Sequence, residues 1–198
     1  MRGIRRPRTF RGKGKGANGV PREAAGGGHS VAKQRILIVK LSSLGDLFHA
    51  LPAVHNLKVG LQAEVDWAVH SPYVELVGCF TDVARVIRVH RHGFFRNLAG
   101  LRRALRAETY DLVVDLQGLL KSAVVARLAR AGRVVGPSFH REGSVLFYSA
   151  VAGPRNRERH AVEENLDIVG YLKLDPVAPA FPVRFPRRPL TADRPRIA

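Results

Sequence analysis

An aspartate in a short loop rich in serine and glycine is the strongest candidate for chemistry in this sequence. Residues 40–46 read KLSSLGD and follow the apolar run RILIVKL at 35–41. The amino-terminal end of a helix favours a negative charge, so Asp46 is expected to be ionised at neutral pH, as a general base must be. Ser and Asp are also preferred helix-capping residues, and on the loop alone a cap is the favoured interpretation.

A second polar segment has the same position relative to a predicted strand. Residues 115–122 read DLQGLLKS and join the end of one strand to the start of a helix. The side chains of Gln117 and Lys121 can bind an anionic or hydroxyl-rich ligand. A turn at Gly118 followed by a solvated Lys121 explains the pattern equally well, so this segment leaves both interpretations open.

Basic residues are concentrated in and after the third predicted strand. They are Arg85, Arg88, His90, Arg91, His92, Arg96, Arg102, Arg103 and Arg106. On the helix that follows the strand, the arginines mostly lie away from the leucine stripe, and a solvated helix face is the simplest interpretation. The alternative is a patch that binds a phosphorylated or carboxylated partner, because guanidinium groups match both anions geometrically.

Alternating strands and helices are predicted to position these segments. Apolar runs predict strands at 35–41, 64–69, 84–89, 112–116 and 133–136, and helical periodicity predicts helices at 46–59, 73–80, 95–107, 119–131 and 160–172. This alternation predicts an α/β fold, a Rossmann-like parallel sheet with helices on both faces. Ligands bind beyond the carboxyl ends of such strands, where both polar loops lie. No G-x-G-x-x-G motif follows the first strand, so pyrophosphate binding by that mechanism is not expected.

The net charge of +17 is distributed unevenly along the chain. Residues 1–35 hold ten Lys and Arg residues and one acid, and residues 1–33 have no apolar periodicity, which predicts a disordered basic tail. Residues 176–198 are rich in Pro and Arg and are predicted to be a linker. The single cysteine, Cys79, excludes an internal disulfide and is predicted to be a buried thiol in the cytoplasm. No apolar run approaches the roughly 20 residues that cross a bilayer.

Five segments that occur in order resemble glycosyltransferase family 9, the heptosyltransferases, and in particular its type I members. They are ILIVKLSSLGDLFHALPAV (36–54), EVDWAV (64–69), YDLVVDLQGLLKSAVVARLAR (110–130), VVGPSFHREGSVLFYSAVA (134–152) and HAVEENLDIVGYL (160–172). The resemblance covers residues 34–175. It implies the acceptor-side, N-terminal half of a two-domain GT-B glycosyltransferase.

The resemblance also implies a reaction and its residues. The family transfers L-glycero-D-manno-heptose from ADP-heptose to the Kdo-lipid A inner core in lipopolysaccharide core biosynthesis, with inversion and without a required metal or other cofactor. The family's catalytic base lies in an SS-x-G-D loop and matches Asp46, which reverses the preference for a cap. The implied acceptor-binding residues are Ser42, Ser43, Gly45, Arg88, Arg91, Arg96, Gln117, Lys121 and Arg141. Arg141 matches the family in position, whereas Arg88, Arg91, Arg96 and Lys121 correspond more loosely. The implied location is the cytoplasm, with peripheral contact at the inner face of the inner membrane.

Two features depart from the family pattern. The basic tail precedes the point where the resemblance begins, and we expect translation of the native protein to start at Val31, which a GTG start codon would encode. A linker at 176–198 implies a donor domain beyond it, and ADP-heptose is bound mainly by that domain in the family. We therefore expect no transfer by this chain alone, since both substrates must be held together. A basic nucleic-acid- or anion-binding protein without catalysis is the alternative function, and a non-catalytic acceptor-binding protein is a third.

Overall fold

The computed structural model describes residues 33–156 and 158–186. The basic tail predicted for residues 1–33 lies outside the described residues apart from Lys33, as do residues 187–198 of the predicted linker. The strands in chain order are β1 (Arg35–Val39), β2 (Glu64–His70), β3 (Val83–Val89), β4 (Thr109–Tyr110), β5 (Leu112–Asp115), β6 (Arg130–Ala131), β7 (Val134–Pro137) and β8 (Ala150–Ala152). The helices are α1 (Leu44–Leu61), α2 (Val74–Val77), α3 (Leu98–Leu105), α4 (Leu120–Leu128) and α5 (Ala161–Tyr171).

Six of these strands form one parallel sheet in the order β3-β2-β1-β5-β7-β8. The central strand β1 pairs with β2 on one side and with β5 on the other, so that Val39 lies opposite both Ala68 and Asp115. The carboxyl ends of these three strands therefore lie side by side. The loops that follow β1 and β5, which carry both polar segments, meet at this edge, which we call the carboxyl edge.

The sheet is buried on both faces, as a parallel sheet requires. Along β1, Ile36 and Ile38 pack in one apolar cluster with residues of α1 and α5. The alternate residues, Leu37 and Val39, pack in a second cluster with residues of α3 and α4. All four of these side chains are fully buried, which fixes the register of β1 and the position at which the following loop leaves the sheet.

Several element boundaries differ from the sequence predictions. The helix predicted at 119–131 ends at Leu128, because residues 130 and 131 pair with β4 as the short strand β6. The helix predicted at 95–107 covers only Leu98–Leu105, since residues 93–97 form turns in which Asn97 N donates to Gly93 O (3.1 Å). Strand β8 was not predicted, because three residues are too few for a recognisable alternation.

Helix α1 runs without interruption from Leu44 to Leu61, two residues longer at each end than predicted. Pro52 lies buried in its interior, and Asn56 Nδ2 donates to the Pro52 carbonyl (2.8 Å). No helix in the described part of the chain is long and apolar enough to cross a membrane.

The described part of the predicted linker contacts the domain. Val177 N donates to Asn56 Oδ1 (2.8 Å), and Arg184 N donates to Cys79 O (2.8 Å). The predicted burial of Cys79 is wrong: the residue is only partly buried, and its thiol lies 3.3 Å from the carbonyl of Glu75. It lies in the turn that follows α2, where the side chain stays near the surface.

Candidate active site

A polar cavity of about 260 Å³ opens at the carboxyl edge of the sheet. Its walls come from the loops after β1, β5 and β7 and from the first residues of α5. The lining residues are Lys40, Asp46, Gln117, Leu119, Phe139, Arg141, Ala161, Glu164 and Asn165. Three of the sequence-predicted site residues, Asp46, Gln117 and Arg141, are therefore brought together by loops that are far apart in the chain.

Asp46 lies in the first turn of α1, where its carboxylate accepts two hydrogen bonds from Ser43. The Ser43 backbone N–H and hydroxyl both donate to Asp46 Oδ2, at 2.9 and 2.8 Å. Partial burial raises the pKa of Asp46, but the Ser43 hydrogen bonds and the charge of Lys40 outweigh it and lower the pKa below its ordinary value. The carboxylate is therefore ionised at neutral pH, and Oδ1 has no hydrogen bond from the described residues.

Lys40 is a buried cation in the wall of the same cavity. Lys40 is only 6% exposed, and its Nζ donates a hydrogen bond to Leu116 O at 2.7 Å. Burial lowers the pKa of Lys40, while Asp46 and Asp115 oppose that shift. An ammonium group has three N–H donors, so two remain beyond the one bound to Leu116. Lys40 was not predicted as a site residue, because it directly follows an apolar strand and resembles an ordinary strand end.

Buried Asp115 organises the second polar loop. Its carboxylate accepts hydrogen bonds from Gln117 N (2.8 Å), Ser122 Oγ (2.8 Å) and Tyr148 OH (2.8 Å). Burial raises the pKa of Asp115, and these hydrogen bonds oppose that effect. Since the carboxylate is fully buried and shared by the backbone, a serine and a tyrosine, it holds the loop in shape rather than facing a ligand.

Gln117 connects the two polar loops. Its Oε1 accepts from Leu41 N (3.0 Å) and Ser42 N (3.2 Å), which leaves the Nε2 donors available at the cavity. The next residue, Gly118, has a φ of +73°, and a Cβ there would meet Pro137 Cγ at 2.9 Å. The turn at Gly118, one of the two interpretations left open by the sequence, and a Gln117 that lines the cavity therefore occur together.

The far wall of the cavity comes from the loop after β7 and from α5. Arg141 N donates to Gly118 O (2.7 Å), which fixes the backbone of the loop that carries the Arg141 side chain. Asn165 is buried, and its Nδ2 donates to His49 O (3.2 Å). Glu164 and Asn165 were not predicted as site residues, because two polar residues in an amphipathic helix carry no spacing that indicates chemistry.

The remaining predicted site residues lie at the edge of the cavity or beyond it. Ser43 caps α1 and bonds Asp46, and a Cβ on Gly45 would meet nothing within 4 Å, so the space beside Gly45 is open. Arg88 lines a separate groove between β3 and α3. Lys121 Nζ donates to Arg91 O (3.1 Å) and lies 5.1 Å from the centre of the Phe94 ring.

The predicted basic residues thus divide into two groups. Arg141 lies in the cavity, whereas Arg88, Arg91, Arg96 and Lys121 are not among its lining residues. In the described part of the chain, no cluster of three or more His, Cys, Asp or Glu side chains has the arrangement of a metal site.

Comparison with known proteins shows similarity to one glycosyltransferase family. The model of glycosyltransferase family 9 (heptosyltransferase) matches residues 98–179. Lipopolysaccharide heptosyltransferase 1 of Escherichia coli K12 is 40% identical over 106 residues, which cover 48% of this chain and 33% of that protein. The Pseudomonas aeruginosa protein of the same name is 37% identical over 112 residues, covering 52% and 32%. Residues 98–179 thus match glycosyltransferase family 9, and the chain is similar to its type I heptosyltransferases.

Solved structures extend the family 9 relationship over more of the chain. E. coli heptosyltransferase WaaC with ADP superposes with a TM-score of 0.65 and 34% identity, covering 73% of this chain and 48% of that one. E. coli heptosyltransferase II shares the fold at a TM-score of 0.62 and 19% identity. The predicted family and the Rossmann-like fold of the GT-B type are confirmed. The chain spans about a third of the length of the curated relatives it matches and about half of the length of the solved ones.

Proposed function

We propose that residues 34–175 form the acceptor side of a type I heptosyltransferase and supply its general base. The reaction is the transfer of L-glycero-D-manno-heptose from ADP-heptose to the Kdo-lipid A inner core, a step of lipopolysaccharide core biosynthesis. The single observation that carries the proposal is the ionised Asp46 carboxylate in a polar cavity beyond the strand ends. A carboxylate so placed can take a proton from a hydroxyl that enters the cavity.

In the proposed reaction, Asp46 accepts the proton of the acceptor hydroxyl as that oxygen attacks the anomeric carbon of the heptose. The new C–O bond forms on the face opposite ADP, and the bond to the β-phosphate oxygen breaks. ADP leaves with that electron pair, so the anomeric configuration inverts. Ser43 holds Asp46 Oδ2 through two hydrogen bonds, which keeps the carboxylate in one orientation while Oδ1 receives the proton.

The cavity and its surroundings match an acidic saccharide acceptor. Arg141 and Lys40 offer positive charge to a carboxylate or phosphate, and the Gln117 amide offers donors to sugar oxygens. The open space beside Gly45, together with Ser42 and Ser43, admits the sugar next to Asp46. We assign Arg88, Arg91, Arg96 and Lys121 to more distant anionic groups of the same acceptor.

The donor requires the other side of a GT-B cleft. The solved E. coli relative contains ADP, and a second one contains ADP-2-deoxy-2-fluoro heptose. We propose that ADP-heptose is bound mainly by a donor domain of this kind, that no metal or other cofactor takes part, and that residues 1–198 alone do not complete the transfer. The proposed location is the cytoplasm, peripheral at the inner face of the inner membrane.

A hybrid enzyme tests this function. Residues 34–175 replace the equivalent half of the E. coli enzyme, and ADP release is measured with Kdo-lipid A and ADP-heptose. The chain of residues 1–198 is assayed in parallel. We expect heptose transfer by the hybrid and none by the shorter chain. A folded hybrid that binds ADP but transfers no heptose would contradict the proposed function.

The second candidate function is a basic anion- or nucleic-acid-binding protein without catalysis. It is supported by the net charge of +17 and by the groove that Arg85, Arg88 and His90 line beside the edge strand β3. Binding of single-stranded nucleic acid that survives deletion of residues 1–33 and depends steeply on salt would favour this function.

A further inference from the structure

We propose that the carboxyl edge carries a membrane-docking surface in which Phe95 and Leu146 insert into an anionic bilayer. This surface, which we call the apolar rim, consists of Leu44, Phe95, Leu120, Val145 and Leu146. The inference rests on the proposed function, because an enzyme with a glycolipid acceptor has to reach that acceptor at a membrane. It goes further by assigning residues that make the contact.

Two residues of the apolar rim are the most exposed large hydrophobic side chains among the described residues. Phe95 is 84% exposed and Leu146 is 86% exposed. A single exposed hydrophobic side chain needs no explanation, but a group on one side of a molecule indicates an interaction surface.

The positions of the exposed residues in the fold make such a group. Every member of the apolar rim lies in a segment that follows the carboxyl end of β1, β3, β5 or β7. The other exposed large hydrophobics, Val59, Phe181 and Phe185, belong to the opposite edge: Val59 lies just before β2, and residues 181–185 pair with residues 79–81 just before β3. The surface is therefore one-sided.

Contacts join the segments of the apolar rim to one another. Lys121, adjacent to Leu120, donates to Arg91 O and lies over Phe94, whose ring is 5.6 Å from that of Phe95. Leu120 N donates to Glu142 Oε2 (3.1 Å), which ties the start of α4 to the segment that carries Val145 and Leu146. The exposed apolar groups after β3, β5 and β7 are thus held on three loops that touch, while Leu44 lies on the segment after β1.

The charge around the apolar rim indicates which surface it contacts. Arg91, Arg96, Lys121 and Arg141 lie in the same three segments, and Glu142 is engaged with the backbone of Leu120. Exposed apolar side chains among cations are typical of proteins that bind the interface of anionic membranes, where basic groups meet lipid phosphates and apolar groups enter the acyl boundary. Docking by this rim would direct the Asp46 cavity, which opens at the same edge, toward the bilayer.

A fluorescence experiment on the full chain, residues 1–198, tests insertion. Trp67 is fully buried and gives a constant background, so Phe95→Trp reports on the rim and Phe181→Trp is its matched control on the opposite edge. Each variant is mixed with vesicles of phosphatidylglycerol and phosphatidylcholine whose acyl chains carry bromine, a quencher that acts at contact. We expect strong quenching of the residue 95 probe and almost none of the residue 181 probe.

A binding measurement completes the test. Phe95→Ser with Leu146→Ser should weaken sedimentation with the same vesicles by about tenfold, because each exposed side chain would otherwise leave water on binding. Phe181→Ser with Phe185→Ser should leave sedimentation unchanged. The basic tail is the same in every variant, so its electrostatic attraction to lipid does not affect the comparison. Unchanged melting temperatures confirm that each variant is folded.

Several outcomes would overturn the assignment. Equal quenching of the two probes, equal binding of the two double variants, or self-association that the rim variant alone abolishes would each show that the rim does not insert. The vesicles contain neither acceptor nor ADP-heptose. Loss of vesicle binding therefore does not contradict the proposed transfer reaction. Failure of transfer by the hybrid likewise does not contradict membrane docking by the apolar rim.

Discussion

At the scale of single residues, the central arrangement is an acid and a cation that share one cavity. Asp46 is ionised because Ser43 donates to it twice and Lys40 adds positive charge, which together outweigh the effect of its partial burial. Burial in turn lowers the pKa of Lys40, and the negative charges of Asp46 and Asp115 reduce that effect. Each group therefore favours the charged state of the other, and loss of either one should be measurable at its partner.

Replacing Asp46 separates catalysis from capping. In the hybrid enzyme, Asp46→Asn should lower turnover by roughly 10²–10⁴-fold, because an amide cannot accept the proton of the acceptor hydroxyl. Ser43→Ala is the matched control, since it removes one hydrogen bond to Asp46 and costs about 1 kcal/mol of stability while keeping the carboxylate. Similar turnover losses in the two variants would mean that Asp46 only caps α1.

Replacing Lys40 tests the electrostatic link directly in residues 1–198. Lys40→Met should raise the pKa of Asp46, since it removes a charge that favours the carboxylate. A carboxyl group whose folded pKa lies below its unfolded value contributes stability above the unfolded pKa and loses it as pH falls through the folded one. The variant should therefore lose less stability on acidification. Carbon-13 NMR titration of the Asp46 carboxyl measures the shift, and an unchanged pKa would show that Lys40 has no electrostatic effect there.

The sequence located part of this site and could not locate the rest. Asp46 and Gln117 were placed at one edge because the carboxyl ends of parallel strands meet, and a family motif suggested Arg141. Glu164 was not predicted, because its position in the cavity depends on how α5 packs against α1, a long-range contact that has no local signature in the sequence.

At the scale of secondary-structure elements, the loop between β5 and α4 has the most tightly constrained conformation in the site. It turns at Gly118 in a left-handed conformation, wraps around buried Asp115, and presents Gln117 to the loop after β1. The sequence pattern indicated the segment and its turn. It did not identify Asp115 as the buried centre, because a carboxylate at a strand end is equally typical of a solvated turn.

Two glycine substitutions should differ in their effect on stability. Gly118→Ala forces a side chain into left-handed backbone and against Pro137 Cγ, so it should lower the free energy of unfolding by about 2 kcal/mol. Gly45→Ala meets no atom within 4 Å and lies in the first turn of α1, so it should leave stability unchanged or raise it by about 0.5–1 kcal/mol.

Urea unfolding of residues 1–198 measures both changes. The same two variants also distinguish a glycine needed for packing from a glycine that leaves space for a ligand. Binding of a soluble Kdo-lipid A analogue should fall in Gly45→Ala despite its stable fold, because the added methyl group occupies the open space beside Asp46. Undiminished binding by that variant would remove Gly45 from the proposed acceptor site.

At the scale of the whole molecule, alternating apolar runs predicted the Rossmann-like parallel sheet. The prediction succeeded because β1 and β5 are buried on both faces and appear as short apolar runs, while β2 alternates between polar and apolar residues. It failed for β8, where three residues, of which only Ala152 is buried, complete the sheet edge through pairing with β7 rather than through their own pattern. Strand order, likewise, depends on contacts between distant segments that local periodicity does not encode.

The distribution of charge over the molecule leads to a prediction about salt. Arg141 lies in the cavity, while Arg91, Arg96 and Lys121 lie in neighbouring segments of the same edge. An acceptor with several anionic groups would therefore meet cations both inside the cavity and outside it. Exposed charges are screened beyond about 8 Å at physiological ionic strength, and buried or enclosed ones much less. Affinity of residues 1–198 for a soluble Kdo-lipid A analogue should therefore fall as salt rises.

Single substitutions identify which cations contribute to that affinity. Arg141→Ala should weaken binding more than Arg96→Ala, because Arg141 lines the cavity, and both losses should be larger at low salt because both side chains are exposed. Arg103→Ala is the matched control, since Arg103 is exposed on α3 and has no role in the proposed site. Isothermal titration at two ionic strengths provides the comparison. If all three variants bind alike, acceptor recognition depends on the hydrogen-bonding groups of the cavity, and the basic character of this edge serves another purpose.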